Sequence, residues 1–315
     1  MMKNTVPAVT TTPIWLVVGF LGAGKTTLLR RLVNSACGRE YIYVINEFSA
    51  VDVDAGQIER EGGAAIAVAG GSIFCRCLIS EFVAVMRRIR EGFHIDGRIV
   101  KPQGVVIEAS GMADPRSMRK LLIESHLNEY FHVAGVTAVV DPGVLMKLLL
   151  VLPNIKGQIQ SADLIIFNKI DLHSPEMIER VEEKVRAINP QAEIIRCMQC
   201  EVDPERILRN GISEGVKIGN VDYTRCKDPH YANETIRIHK KIALSALLEL
   251  LPPEVEGLYR VKGHIESDAG WFLINWSEGG LTYAPSGPQS VSGLTVIWNA
   301  SDEPAVIGAL RHLTG

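Results

Sequence analysis

Gly19-Phe20-Leu21-Gly22-Ala23-Gly24-Lys25-Thr26 follows the apolar run Ile14 to Val18 and leads into Thr27-Leu-Leu-Arg-Arg-Leu-Val33. It fits G-x-x-x-x-G-K-[ST] and reads as a loop joining a buried strand to a helix. Side chains at Gly19, Gly22 and Gly24 would obstruct a curled backbone whose N–H groups point inward at an anion. The helix is expected to begin near Lys25, which adds its positive end to the same place. The Lys25 ammonium can reach the β- and γ-phosphates of a nucleotide, and the Thr26 hydroxyl can ligate magnesium. Gly19, Gly22, Ala23, Gly24, Lys25, Thr26 and Thr27 form the expected phosphate-binding set. A plain glycine-rich turn with a solvated Lys25 would not require this lysine and hydroxyl at this spacing.

Working outward, strand-like and helix-like runs alternate. A helix is expected from Lys25 to Cys37, a strand at Tyr41 to Ile45, a short apolar segment at Ala64 to Ala69, and a helix from Leu78 to Arg90. Gly104 to Ile107 and Ala134 to Val140 are further buried-strand candidates, ending in Glu108 and Asp141. Leu164 to Phe167 ends in Asn168-Lys-Ile-Asp171, Ser174 caps the next helix, and Ile194-Ile195 runs into Arg196-Cys197. Polar groups thus gather at strand C-termini, the edge where open parallel sheets bind ligands. Residues 1–13 read as a flexible tail, 14–210 as the nucleotide domain and 211–232 as a linker with weak periodicity. Residues 233–315 read as a small α+β domain, β-α-β-β-β-α, without a crossover rhythm.

The chain has 315 residues, enough for two cores, and is 47% hydrophobic and 22% charged with a net charge of -3. Nothing in that balance favours nucleic acid as a partner. The start MMKNTVPAVTTTP has no apolar core of signal-peptide length, and the segment Gly135 to Leu152 is apolar but broken by Asp141, Pro142 and Lys147, so neither secretion nor membrane spanning is expected. Six cysteines spread over this length do not form a disulfide framework, so reduced thiols and a cytoplasmic location are expected.

Asn168-Lys169-Ile170-Asp171 matches N-K-x-D after a late strand of the same sheet. The Asp171 carboxylate can accept from guanine N1–H and the exocyclic amine together, a donor pair adenine lacks, so GTP is favoured over ATP. Glu108 stands where nucleotide hydrolases place an acid that holds magnesium or orients the attacking water. With Lys25 it forms the expected catalytic pair, and Thr26 with Glu108 the magnesium ligands. Gly111 can offer its N–H to the γ-phosphate, which makes Glu108 to Pro115 a nucleotide-responsive segment. Cys197-Met-Gln-Cys200 follows the last strand of the sheet, so Cys197 is read as part of the base pocket.

Together, GFLGAGKTT, Ile45-Asn46-Glu47-Phe48, Glu108 to Pro115, Asn168 to Asp171 and the later Tyr259-Arg-Val-Lys-Gly263 resemble the CobW-like GTPases, relatives of the urease and hydrogenase nickel-insertion GTPases. The resemblance covers nearly the whole chain. It implies an α/β P-loop NTPase domain with a mostly parallel sheet, then a small α+β CobW-type C-terminal domain. It further implies slow GTP hydrolysis with magnesium, and delivery of a divalent metal such as zinc or cobalt to a client metalloprotein or cofactor-dependent enzyme. A link to cobalamin is within its scope. Glu47 then lies in the first nucleotide-responsive segment, and homodimerisation across the nucleotide site is left open.

The family's Gly-Cys-x-Cys-Cys reads Gly71-Ser72-Ile73-Phe74-Cys75-Arg76-Cys77 in this chain. Ser72 and Phe74 replace two cysteines, while Cys77 adds one. Cys75 and Cys77 are either a metal pair completed by Glu47, water or a client, or semi-buried thiols; a structural zinc takes four ligands. Cys226 and His230 read as solvated linker. A GTP-gated module that remodels its client without carrying metal is the alternative function.

Overall fold

The computed structural model describes residues 11–47, 58, 64–69, 73–74, 78–95, 98–100, 102–208, 231–277, 280–289 and 292–314. Cys75, Cys77, Cys226 and His230 lie outside them.

The larger unit is built on strands β1 (Thr12–Val18), β2 (Tyr41–Glu47), β3 (Ala64–Ala69), β6 (Gly104–Glu108), β7 (Phe131–Val140), β8 (Leu164–Phe167) and β9 (Glu193–Arg196), with a hairpin of β4 (Phe93–Ile95) and β5 (Arg98–Val100) outside the sheet. The sheet order is β3-β2-β6-β1-β7-β8-β9, and its described pairings are all parallel. Parallel strands are covered on both faces, and β1 shows how alternation achieves it. Ile14, Leu16 and Val18 join one core cluster while Trp15 and Val17 join the other. The central β1, flanked by β6 and β7, carries the phosphate loop at its C-terminal end.

Helices α1 (Lys25–Asn34), α2 (Ile79–Glu91), α3 (Met118–Glu124), α4 (Pro142–Val151), α5 (Pro153–Ser161), α6 (Pro175–Ile188) and α7 (Pro204–Leu208) connect the strands. Helix α1 stops at Asn34, short of the expected Cys37, because Ser35 turns extended and its hydroxyl donates to Leu32 O at 2.5 Å. Ser174 caps α6 as expected, accepting from Met177 N. Asp141 caps α4 with Pro142 in its first turn. Thr12 and Pro13, expected in the tail, pair with Phe131 and His132 in the sheet.

The smaller unit is a five-stranded antiparallel sheet ordered β10-β14-β11-β12-β13, with β10 (Tyr231–Ile238), β11 (Leu258–Ser267), β12 (Gly270–Ser277), β13 (Gly280–Pro285) and β14 (Ser292–Asn299). Helices α8 (Leu244–Leu250) and α9 (Ala305–Thr314) complete it. Strand β13 is one more than expected, and β10 starts at Tyr231, inside the expected linker. Trp276 and Trp298 are core, and Trp276 Nε1 donates to Pro252 O at 2.7 Å. Among the described residues no helix is long and apolar enough to cross a membrane.

Candidate nucleotide site

The loop after β1 wraps the start of α1. Gly24 has φ 117°, and a Cβ there would sit 2.4 Å from Asn168 Nδ2, so only glycine fits. Lys25 is 5% exposed and donates from Nζ to Gly19 O at 2.9 Å and Phe20 O at 3.3 Å. The ammonium is thereby held across its own loop, over the place a phosphate chain would occupy. Thr26, Thr27, Gly22 and Glu108 join Lys25 around a cavity of about 270 Å³.

The loop after β8 is tied to the loop after β1 by one amide. Asn168, 3% exposed, donates from Nδ2 to Ala23 O at 2.9 Å and accepts on Oδ1 from Cys200 N at 2.8 Å. One amide thereby joins the loops after β1, β8 and β9. Cys200 Sγ donates to Gly24 O at 3.3 Å. Burial pushes both the Cys197 and Cys200 thiols up, Cys200 to about 12, so they pack as neutral thiols against the loops after β1 and β8. Asp171 is exposed on the turn Ile170–Leu172. Lys169 Nζ meets Asp141 Oδ2 at 2.9 Å, and His173 Nε2 meets Asp141 Oδ1 at 2.9 Å. This cluster was not anticipated from the sequence, where the His173 and Asp141 positions are 32 residues apart. The only signal for it is Asp141 standing at the end of β7.

Glu108 ends β6, is 5% exposed and lines the cavity. The segment after it rides on the phosphate loop: a Cβ on Gly111 would come within 2.7 Å of Leu21 N. From the other side α5 holds it, with Gln158 Nε2 donating to Gly111 O and Ala113 O at 3.2 and 2.8 Å and Asn154 Nδ2 to Met112 O at 2.6 Å. Ser110 Oγ is buried with no partner among the described residues. Asn46, 3% exposed, accepts on Oδ1 from Ser110 N at 3.3 Å and from Ile73 N at 2.9 Å, and donates to Val68 O at 3.1 Å. Sequence reading named Asn46 only as part of a motif and missed this bridging role.

A triphosphate fits these residues: the loop is shaped by a glycine a Cβ would break, an ammonium is already held across it, and Thr26 and Glu108 line the same cavity. Glu47 ends β2, and its side chain lies outside the described residues. Among the described residues no group of three or more His, Cys, Asp or Glu is placed to hold a metal ion.

The family model "CobW/HypB/UreG, nucleotide-binding domain" matches residues 13–196, from β1 through β9. The chain belongs to this family. Similar curated proteins include the zinc chaperone CobW of Pseudomonas aeruginosa, 30% identical over 214 residues, covering 57% of this chain and 54% of that one. The zinc-regulated GTPase metalloprotein activator 1 of Saccharomyces cerevisiae is 25% identical over 243 residues, covering 66% and 53%. The chain thus spans about half the length of these curated relatives. Among solved structures, the Zn(II)-bound YjiA GTPase from E. coli aligns over 96% of this chain and 99% of its own at 20% identity, with a TM-score of 0.48. Within the CobW/HypB/UreG domain as matched, Lys25, Thr26, Glu108, Asn168 and Asp171 all lie on one edge of the sheet.

Proposed function

We propose that the protein is a GTP-hydrolysing metallochaperone whose nucleotide state governs a divalent metal, zinc or cobalt, held at Cys75 and Cys77 for a client metalloprotein. The observation that carries this reading is Asn46. Its one carboxamide oxygen accepts from Ser110 N, two residues after Glu108, and from Ile73 N, two residues before Cys75. Any shift of the 108–115 segment on loss of the γ-phosphate therefore pulls on a hydrogen bond at the root of the cysteine segment. The zinc chaperone and metalloprotein-activator names of the relatives support the same reading.

In this reading Gly19 to Thr27 cradle the phosphates, Asp171 accepts from guanine, and Asn168 holds the base loop in place. Thr26 and Glu108 would hold magnesium, which supplies charge neutralisation at the phosphates. Hydrolysis is the in-line attack of water on the γ-phosphorus, breaking its bond to the bridging oxygen and giving GDP and inorganic phosphate. Glu108 orients that water, Lys25 balances charge on the oxygens, and Gly111 N–H faces the γ-phosphate.

Equilibrium zinc and cobalt binding, measured with and without a non-hydrolysable GTP analogue, tests the metal assignment. Tighter binding to wild type than to a Cys75→Ser, Cys77→Ser double variant, with affinity that differs between nucleotide states, is expected. Equal binding to both proteins in every state removes the metal. A second reading then stands, a GTP-gated module that remodels its client; it is favoured by Phe74, which occupies a cysteine position of the family pattern yet is fully buried in the main core.

A further inference from the structure

The small domain's sheet has one face for its own core and one for the phosphate loop. Val261, Ile265, Ile274, Trp276 and Val296 pack inward with α8 and α9. Arg260 and Lys262 on β11 and Asn275 on β12 alternate with these residues and so lie on the other face. That face sits against the nucleotide domain. The Tyr259 and Phe20 rings meet edge to face with centroids 5.9 Å apart, and Ile297 belongs to the large domain's core cluster. A Cβ on Gly22 would lie 2.9 Å from Ser277 Cβ, so the Ser277 side chain sits against the phosphate loop itself.

The cavity of about 270 Å³ therefore has two walls. One carries Lys25, Thr26 and Glu108; the other carries Arg260, Lys262 and Asn275. Lys262 is only 8% exposed, although lysine ordinarily keeps its ammonium in bulk water. A guanidinium offers a planar fork of donors suited to phosphate oxygens, and an ammonium a compact charge. GTP and GDP differ by one phosphoryl group and about one negative charge, and a shielded cavity transmits that difference more strongly than water does.

We propose that Arg260 and Lys262 complete the phosphate site in cis, so that the second domain reads the terminal phosphate and docks on the loop more tightly with GTP than with GDP. This rests on the assignment of the loop at Gly19 to Thr26 as a GTP site. It makes the Arg260-Val-Lys262 stretch a nucleotide-contacting element and the small domain the first body to respond to hydrolysis.

The test uses the full chain with Arg260→Gln and Lys262→Met, measuring dissociation constants for fluorescent GDP and for a non-hydrolysable GTP analogue. Each variant is expected to lose about 10-fold or more for the GTP analogue and less than about 3-fold for GDP. Lys262→Arg should restore most of the preference. Equal losses for both nucleotides, or none, overturn the inference. If wild type binds neither nucleotide, the GTP site and the inference fall together; if wild type binds GTP and the variants match it, only the inference falls. Amide exchange across 258–267 of the wild-type chain needs no variant: slower exchange with the GTP analogue than with GDP supports docking by the terminal phosphate, and identical exchange overturns it.

Discussion

Asp171 projects from a short turn into solvent, while Asn168, three residues earlier, is sealed beneath the loops. In the proposed site the pair divides the labour: Asn168 positions and Asp171 selects. Asp171→Asn should therefore leave the fold intact and change the base that is read. A carboxamide keeps an acceptor for N1–H but turns a donor toward C2, where guanine has an amine and xanthine a carbonyl. With charged hydrogen bonds contributing about 1.5 to 3 kcal/mol each, GTP affinity should fall at least about 100-fold and XTP affinity rise, read by competition against a fluorescent nucleotide. Undiminished GTP binding would remove Asp171 from the site. Cys200 acts through protonation instead. Its thiol titrates at 9.0 when unfolded and about 12 in the fold, raised by burial. Below pH 9 both states hold the proton. Above it the unfolded chain releases its proton first, so this contribution to stability is lost as pH climbs toward 12, by about 1 kcal/mol at pH 10. Denaturant titrations at pH 8 and 10 should show a smaller loss in Cys200→Ala than in wild type.

At the scale of elements, the phosphate loop and the strand ends were legible because their residues carry the chemistry within one short run. The glycines, the lysine and N-K-x-D are local signals, and the buried runs Ile14 to Val18 and Leu164 to Phe167 have little choice but the middle of a parallel sheet. What α4 and α5 do was not legible. The stretch 142–152 is apolar almost all round, so periodicity does not separate helix from strand there, and Asn154 and Gln158 in the more polar α5 look like ordinary surface until they meet the 111–113 backbone. Strand β13 escaped for the opposite reason: most of it is exposed, so it shows no inward-outward alternation, and it ends in proline. The Asn46 bridge is likewise invisible in one dimension, since its partners lie 22, 27 and 64 residues away. Gln158→Leu tests the clamp from α5. It orphans the carbonyls of Gly111 and Ala113 in the interior and should cost about 1 to 3 kcal/mol in denaturant unfolding. Because the freed segment carries Glu108 and Gly111, GTP turnover should fall by more than GDP affinity does; equal stability to wild type would mean that the clamp is replaced by water.

For the whole molecule, two sheets of different kinds share one interface, and that interface is built on the phosphate loop. Tyr259 sits at an irregularity in β11, between Leu258 and Arg260 in the pairing with β14, and is 5% exposed against Phe20. The irregularity lets Tyr259 leave its own sheet's core and enter the neighbour's cluster. Truncating a buried aromatic side chain costs about 3 to 5 kcal/mol, and this cost falls on the contact between units more than on either core. Tyr259→Ala should therefore split unfolding. Wild type is expected to melt in one calorimetric transition and the variant in two, with the transition of the unit carrying the phosphate loop rising more when GDP is added, since a ligand stabilises most the unit that holds most of its contacts. A single transition lowered as a whole would place Tyr259 in one cooperative core and deny the two units separate stability.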